Sequence, residues 1–213
     1  MPEQRHRADA LRNSDRIVRA AITALREGGT AVPLDEIARR AGVGIATVYR
    51  RFGDRDGVIR ACFETYFTEE VEPHALAARR ATDPRQGLAE ALGAIVDTLA
   101  SHRALLTAAR EAGAFTESLF ERFGAPLGDV LADAQRRGLV RADLLVRDLA
   151  AMVVMTLATI GPTGLDGHRR YLALLFDGTR PSEAPLPPPS EPGERISPAR
   201  QRPRARARSA RTG

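Results

Sequence analysis

Apolar residues recur along this chain at intervals of three and four, so the sequence divides into helical faces separated by glycine and proline. Ile17, Ala20, Ala21, Ala24 and Leu25 make the first face, which ends at Gly28-Gly29 and has Ser14 or Asn13 in place as a cap. Ile37, Ala38 and Ala41 make a second, short face that stops at Gly42, a residue that tolerates the positive φ a helix end needs. Val43 fills the corner. After Gly44, a third set at Ile45, Val48 and Phe52 starts another helix almost at once. Val58, Ile59, Cys62, Phe63, Tyr66 and Phe67 then share one side of a fourth helix that opens at Asp54, continues to Glu72 and is ended or kinked by Pro73.

The second half follows the same rule. Asp83-Pro84 opens an element whose Leu88, Ala91, Leu92, Ile95, Val96 and Leu99 form the cleanest amphipathic stripe in the chain. Short helical pieces follow from Arg103 to Ala112, and Thr116 to Arg137 reads as a helix interrupted at Gly124-Ala-Pro126. Asp143 to Ala158 and His168 to Phe176 make a last pair, separated by Gly161-Pro162 and Gly164, with Gly178 as the closing cap. No alternating strand pattern and no repeat intervenes. The expectation is an all-α fold: a three-helix head, a helical bundle behind it, and a Pro/Arg-rich tail.

Two short helices joined by a glycine corner form a helix-turn-helix. Its second helix buries Val48 and Phe52 and turns Ile45, Thr47, Tyr49 and Arg50 outward, where a DNA major groove accepts them. Short hydroxyls and a phenol suit phosphate contacts, while Arg50 and Arg51 are long enough to reach guanine O6 and N7.

The run from Gly42 to Ile59, with Tyr49 and Phe52 three apart, Asp54 as the next cap and a basic Arg55, resembles the DNA-binding domain of the TetR family of bacterial regulators. The likeness spans about residues 14–66 and is looser from 83 to 180. It implies backbone and phosphate contacts by Thr47, Tyr49 and Arg55, so that Gly44, Ile45, Thr47, Tyr49, Arg50, Arg51 and Arg55 are the candidate DNA-binding residues. Two positions depart from the family pattern: Pro33 stands where a capping Ser or Thr is common, and Gly44 where Ser is common, so one side-chain phosphate contact that the resemblance implies is absent. The likeness further implies a pocket for a small, often hydrophobic effector, with Leu92, Ile95, Leu99, His102, Phe115, Phe123 and Met152 as candidate lining. It implies a four-helix homodimer contact from the last pair, through Leu149, Val153, Thr156, Leu157, Leu172, Leu175 and Phe176. A twofold dimer requires a palindromic double-stranded operator.

Charge distribution fits this division. Residues 1–60 carry a net +4, residues 61–180 a net −3 and residues 181–213 a net +4, so both ends are basic around a mildly acidic middle. Every basic residue is arginine, so each cation is permanent and capable of bidentate contacts. The layout expected is a basic arm over 1–13, with Arg5, Arg7 and Arg12 suited to a minor groove, a head over 14–66 with a linking helix to about 80, a body over 83–180 and a tail over 181–213. Proline holds 8 of the 33 tail positions, so the tail lacks the apolar area to offset chain entropy and is expected to be disordered.

Catalytic chemistry has little to stand on. His6, His74, His102 and His168 have no neighbouring ligand pattern, and there is no glycine-rich phosphate loop or nucleophile elbow. No metal, cofactor or enzymatic activity is expected. Cys62, the only cysteine, excludes an internal disulfide and sits on an apolar stripe, where a buried inert thiol is expected. The longest apolar run, Ala150 to Ile160, is shorter than the roughly 20 residues a membrane span needs, and no signal peptide is apparent. A cytoplasmic, DNA-binding regulator, most simply a repressor, is the expectation. Its rivals are an architectural DNA binder driven by the tail and a ligand-binding module that has lost DNA binding.

Overall fold

A computed structural model describes residues 2–160 and 167–188, the side chains of residues 2–10 and of Phe123 excepted. All regular structure among the described residues is helical, with no strand: α1 Pro2–Gly28, α2 Leu34–Ala41, α3 Ile45–Phe52, α4 Arg55–Tyr66, α5 Glu72–Ala78, α6 Pro84–Ser101, α7 Arg103–Glu111, α8 Glu117–Arg136, α9 Val146–Ala158 and α10 His168–Asp177. A single 3-10 turn, Gly29–Ala31, separates α1 from α2.

The head forms because the stripe of α1 meets the backs of its neighbours. Ile17, Ala21, Ala24 and Leu25 are fully buried together with Ile37, Val48 and Ile59, so α1 to α4 share one small core. Behind it α6 is the axis of the body. Its Leu88, Leu92, Ile95 and Val96 are fully buried, and α5, α8, α9 and α10 pack around it. Asp83 caps α6 through hydrogen bonds from the amides of Arg85 (2.8 Å) and Gln86 (3.2 Å). Head and body belong to one compact unit, Met1–Glu183, with α4 packed on both α1 and α7.

Four expectations are revised. Residues 2–13, expected as an arm ahead of a cap at Ser14 or Asn13, continue α1 back to Pro2. Nothing between Pro2 and Gly28 breaks a helix, and Arg, Glu, Gln, Ala and Leu propagate one. Second, Pro73 neither ends nor simply kinks the fourth helix. The chain passes through a π-helical turn, Phe67–Val71, and resumes as α5 with Pro73 in its first turn. The wider turn accommodates both the missing proline donor and the ring's conflict with the preceding carbonyl. Third, α8 is not interrupted at Gly124-Ala-Pro126 but continues as one helix with Pro126 inside it, and Leu127, Val130, Leu131 and Ala134 are buried beyond the proline. Last, the ninth helix begins at Val146 rather than Asp143, where the Leu145 amide donates to Asp148 Oδ2 at 2.8 Å.

The breakers Gly161, Pro162 and Gly164 lie outside the described residues. So does the tail from residue 189 onward, while residues 181–188 hold no helix. Among the described residues no helix is long and apolar enough to cross a membrane, and no group of acidic, histidine and cysteine side chains is placed to hold a metal ion.

Cys62 is fully buried, its Sγ 3.6 Å from the Val18 carbonyl, and burial pushes its thiol up to about 12. Because the thiolate is the nucleophile, native protein at pH 8 is expected to resist iodoacetamide over hours and to take up one equivalent when unfolded in urea, as read by intact mass.

Candidate nucleic-acid interface and cavity

The corner between α2 and α3 is set by backbone geometry. Gly42 lies at φ +63°, donates to the Arg39 carbonyl at 3.1 Å and is followed by Val43 donating to Ala38 at 3.0 Å. A side chain at Gly42 would be strained by its φ and would meet Arg16 Nη2 at 2.7 Å. The helix α3 starts from Gly44 in extended conformation and stops at Gly53, whose amide donates to the Tyr49 carbonyl at 2.8 Å. Asp54 then caps α4, accepting from the Gly57 amide at 2.6 Å. Between these fixed ends Val48 is buried, which decides the face that α3 shows to solvent.

That face carries Tyr49, 53% exposed, with Arg50 and Arg51 beside it. Arg50 makes no hydrogen bond or ion pair among the described residues. Arg51 donates from Nε to Ser14 Oγ on α1 at 2.6 Å. Gly44 is exposed and Thr47 half-exposed at the same end. Two residues are placed otherwise than their sequence pattern suggests. Ile45 is half-buried against the core instead of facing outward, and Arg55 sends Nη2 to the Thr30 carbonyl, bracing the turn before α2. Phe52 is half-buried against the core, as expected from its spacing.

Charge separates α2 from α3. On α2, Glu36 accepts from Arg39 (2.7 Å) and Arg40 (2.7 Å), and those two hydrogen bonds hold its carboxyl down at about 2. Arg40 also meets Glu27 at 2.5 Å. The cations of α2 are therefore internally matched, whereas Arg50 on α3 is offered to solvent. A helix whose phenol and guanidinium project together, anchored from beneath, can enter a major groove and meet phosphates and base edges.

The body carries a cavity of about 490 Å³, open to solvent on one side, between α6, α7, α8 and α9. Of the seven expected lining residues it brings Ile95, Leu99 and Phe115 together. Leu92 and Met152 instead fill the core, because they point from α6 and α9 into the bundle. His102 packs at a tilt of 44° against Tyr66 with 4.5 Å between ring centroids and hydrogen-bonds Ser101 Oγ through Nδ1 at 2.9 Å; desolvation by burial, with Arg26 nearby, lowers its pKa. The side chain of Phe123 lies outside the described residues. Sequence reasoning missed Phe67 of the π turn and the α7 residues Arg103, Leu106, Thr107 and Arg110. The i, i+4, i+7 spacing of Arg103, Thr107 and Arg110 was the available signal.

The residues expected at a dimer contact are turned inward. Leu149, Val153, Thr156, Leu172 and Phe176 are buried within the protomer and Leu157 and Leu175 half-buried, with Val153 and Leu157 lining the cavity. The Phe176 ring carries the Arg85 guanidinium at 4.8 Å. The apolar side chains left exposed by this pair are Val154 (59%), Met155 (48%), Tyr171 (41%) and Leu174 (60%).

Known proteins resemble this arrangement over most of the chain. Residues 17–62 match the family described as bacterial regulatory proteins, tetR family, and residues 83–181 match the C-terminal domain of SbtR-like transcriptional regulators. The chain is 29% identical over 142 residues to the transcriptional regulatory protein RaaS of Mycobacterium tuberculosis, covering 66% of each chain. It is 30% identical over 155 residues to an uncharacterized helix-turn-helix regulator of the same species, covering 69% of this chain and 79% of the relative. Among solved structures, a TetR regulatory protein from Mycobacterium vanbaalenii superposes with a TM-score of 0.56 at 32% identity, over 82% of this chain and 98% of that one. RolR in complex with resorcinol shares the fold with a TM-score of 0.66 at 20% identity, over 86% and 99%. With both halves matched and the head geometry that such regulators require, this chain belongs to the TetR family of bacterial transcriptional regulators.

Proposed function

We propose that this chain is a sequence-specific repressor that binds a palindromic operator as a homodimer and leaves it when a small, largely apolar molecule fills the cavity. Reading DNA on the chromosome puts the working protein in the cytoplasm. The observation that carries the reading is the solvent face of α3, where Tyr49 and Arg50 project from a helix fixed by Val48 beneath it. Thr47, Tyr49 and the Gly44 end make phosphate contacts and Arg50 reads bases, with Arg51 held toward α1 as support. That RolR, which shares this fold, forms a complex with the ligand resorcinol supports a small-molecule effector here.

A physical route joins the two sites. Phe67 lines the cavity and belongs to the π turn that continues α4, and the first turn of α4 abuts the last turn of α3. From α8, Arg122 fastens that turn, bonding Glu64 before it, Thr68 Oγ1 within it at 2.8 Å and Glu72 after it at 3.1 Å. A ligand that fits better when Phe67 and α8 move apart shifts α4, and with it the spacing of two recognition helices across a dimer.

Selection from random duplex DNA at physiological salt, using the full chain, is expected to return an inverted repeat. Arg50→Ala is expected to weaken binding to it by about 1–3 kcal/mol and to relax preference at one position of each half-site. Recovery of no motif, with weak binding that collapses as salt rises, would replace this reading with an architectural DNA binder.

A further inference from the structure

We propose that Arg122 is the positioning residue of the switch: its clamp across the π turn belongs to the operator-holding form alone, and a molecule in the cavity acts by breaking it. The inference rests on the effector reading of the preceding section and names the contact through which that site is regulated.

The clamp depends on the local helix geometry. Arg122 reaches Glu64, Thr68 Oγ1 (2.8 Å) and Glu72 (3.1 Å), three acceptors spaced at i, i+4 and i+8. In a regular α-helix eight residues turn through about 800°, which leaves Glu72 about 80° from Glu64 around the axis. The wide turn Phe67–Val71 absorbs one extra residue, so the eight positions turn through about 700° and the two carboxylates return to one face. Pro73 lacks an N–H and opposes a carbonyl one turn back, so it disfavours tightening of that turn into plain α-helix. What the clamp sets is therefore the angle of the joint, because one guanidinium gathers two carboxylates about 10 Å apart along the axis.

Charge makes the joint depend on that cation. Residues 64–72 hold Glu64, Glu69, Glu70 and Glu72 and no base. Arg19 of α1 takes Glu69 at 3.1 Å, which ties the turn to the head, whereas Arg122 of α8 takes Glu64 and Glu72, which ties it to the body. Loss of Arg122 leaves Glu64 and Glu72 to repel each other on one face, while the ion pair from α1 remains.

Both sides of the clamp border the cavity. Phe67, next to Thr68, lines it, and so do Leu119 and Phe120, within one turn of Arg122. A molecule seated between them presses apart the two elements that the clamp joins. The clamp is also breakable. Its side chains are 41% exposed for Arg122, 58% for Glu64 and 24% for Glu72, so water compensates them when it opens. Clamp and ligand therefore oppose each other. By linkage, weakening the clamp lowers operator affinity and raises cavity affinity, whereas a plain loss of stability lowers both.

The test reads both affinities in the full chain. The cavity probe is N-phenyl-1-naphthylamine, a neutral fluorophore that brightens in apolar surroundings, and the DNA is the duplex recovered by selection. Arg122→Gln is expected to lower operator affinity about fivefold or more and to raise probe affinity by a similar factor, within the usual range of allosteric coupling. The loss of operator binding on saturation with the probe is expected to shrink in the same variant. Glu64→Gln with Glu72→Gln is expected to repeat the pattern from the other side of the clamp, and Arg122→Lys, which keeps the charge and loses the fork, to fall between Arg122→Gln and the parent.

Two affinities that fall together would reduce Arg122 to a structural role, and two that stay put would make it a bystander; either result overturns the proposal. A probe that fails to bind the parent, or binds it without weakening the operator complex, removes the effector reading and the clamp with it. A probe that weakens operator binding equally in the parent and in Arg122→Gln leaves that reading standing and removes the clamp alone.

Discussion

Gly57→Ala is expected to destabilise the protein by about 3 kcal/mol, the upper range for forcing bulk into a packed site, and to remove most DNA binding with it. In an ordinary helix this substitution stabilises by about 1 kcal/mol, so the sign itself is diagnostic. Gly57 lies in the first turn of α4, and a Cβ there would stand 1.9 Å from the carbonyl oxygen of Phe52, the last residue of α3. That oxygen is backbone, not the end of a flexible side chain. Relief requires moving either the end of α3, which Val48 anchors, or the start of α4, which Asp54 caps. Either movement shifts Tyr49 and Arg50 relative to α4. Chemical unfolding followed by circular dichroism reads the stability, and binding to a selected operator reads the position of α3. Gly44→Ala is the matched control. Nothing lies within 4 Å of a Cβ there and the backbone is extended, so its stability is expected to stay within about 0.5 kcal/mol of the parent. A Gly57→Ala protein as stable as the parent would show that the joint between α3 and α4 is loose and that motion of α4 does not reach the recognition helix.

The head was legible in the sequence because its signals are local. A glycine at a helix end, three apolar residues at i, i+3 and i+7, and an Asp before the next helix each report on their own few residues. The errors fall where a local signal depends on distant packing. Ser14 caps a helix only if the helix begins there; instead its hydroxyl receives Arg51 Nε from α3, and α1 continues past it. Pro73 and Pro126 read as breaks, yet one lies in the opening turn of α5 after a π turn and the other sits inside α8. The cavity was half legible for a related reason. The α6 stripe announced Ile95 and Leu99, but periodicity cannot say which residues of α7 and α9 close the space opposite them. On α9 the difficulty is greatest. Val146 to Ala158 is apolar around much of its circumference, so the pattern does not separate the face toward the core, Leu149, Met152, Val153 and Thr156, from the face toward solvent, Val154 and Met155.

That second face leads to the other large effect. Met155→Glu with Leu174→Glu is expected to leave the protomer folded, convert the protein to a monomer at micromolar concentration and lower operator affinity by about 100-fold or more. Both side chains are about half exposed or more in the protomer, 48% and 60%, so replacing them costs little core packing. Burying such side chains against a second copy contributes roughly 1.5–3 kcal/mol each when complete, and a twofold contact counts each residue twice. Introduced carboxylates would enter that contact in pairs beside the uncharged Val154 and Tyr171, with Arg170, one turn before Leu174, offsetting part of their cost. In the proposed dimer, two half-sites would be engaged by linked recognition helices, and an unlinked head would keep only one set of contacts. The inward residues give the opposite pattern. Leu149→Ala is expected to cost about 2–5 kcal/mol of folding stability while the folded fraction stays dimeric, since Leu149 is fully buried within one protomer. Sedimentation analysis of the two variants separates the cases. A Met155→Glu, Leu174→Glu protein that remains a dimer would place the contact on another surface, and one that becomes a monomer yet holds its operator with undiminished affinity would remove the twofold from the mechanism.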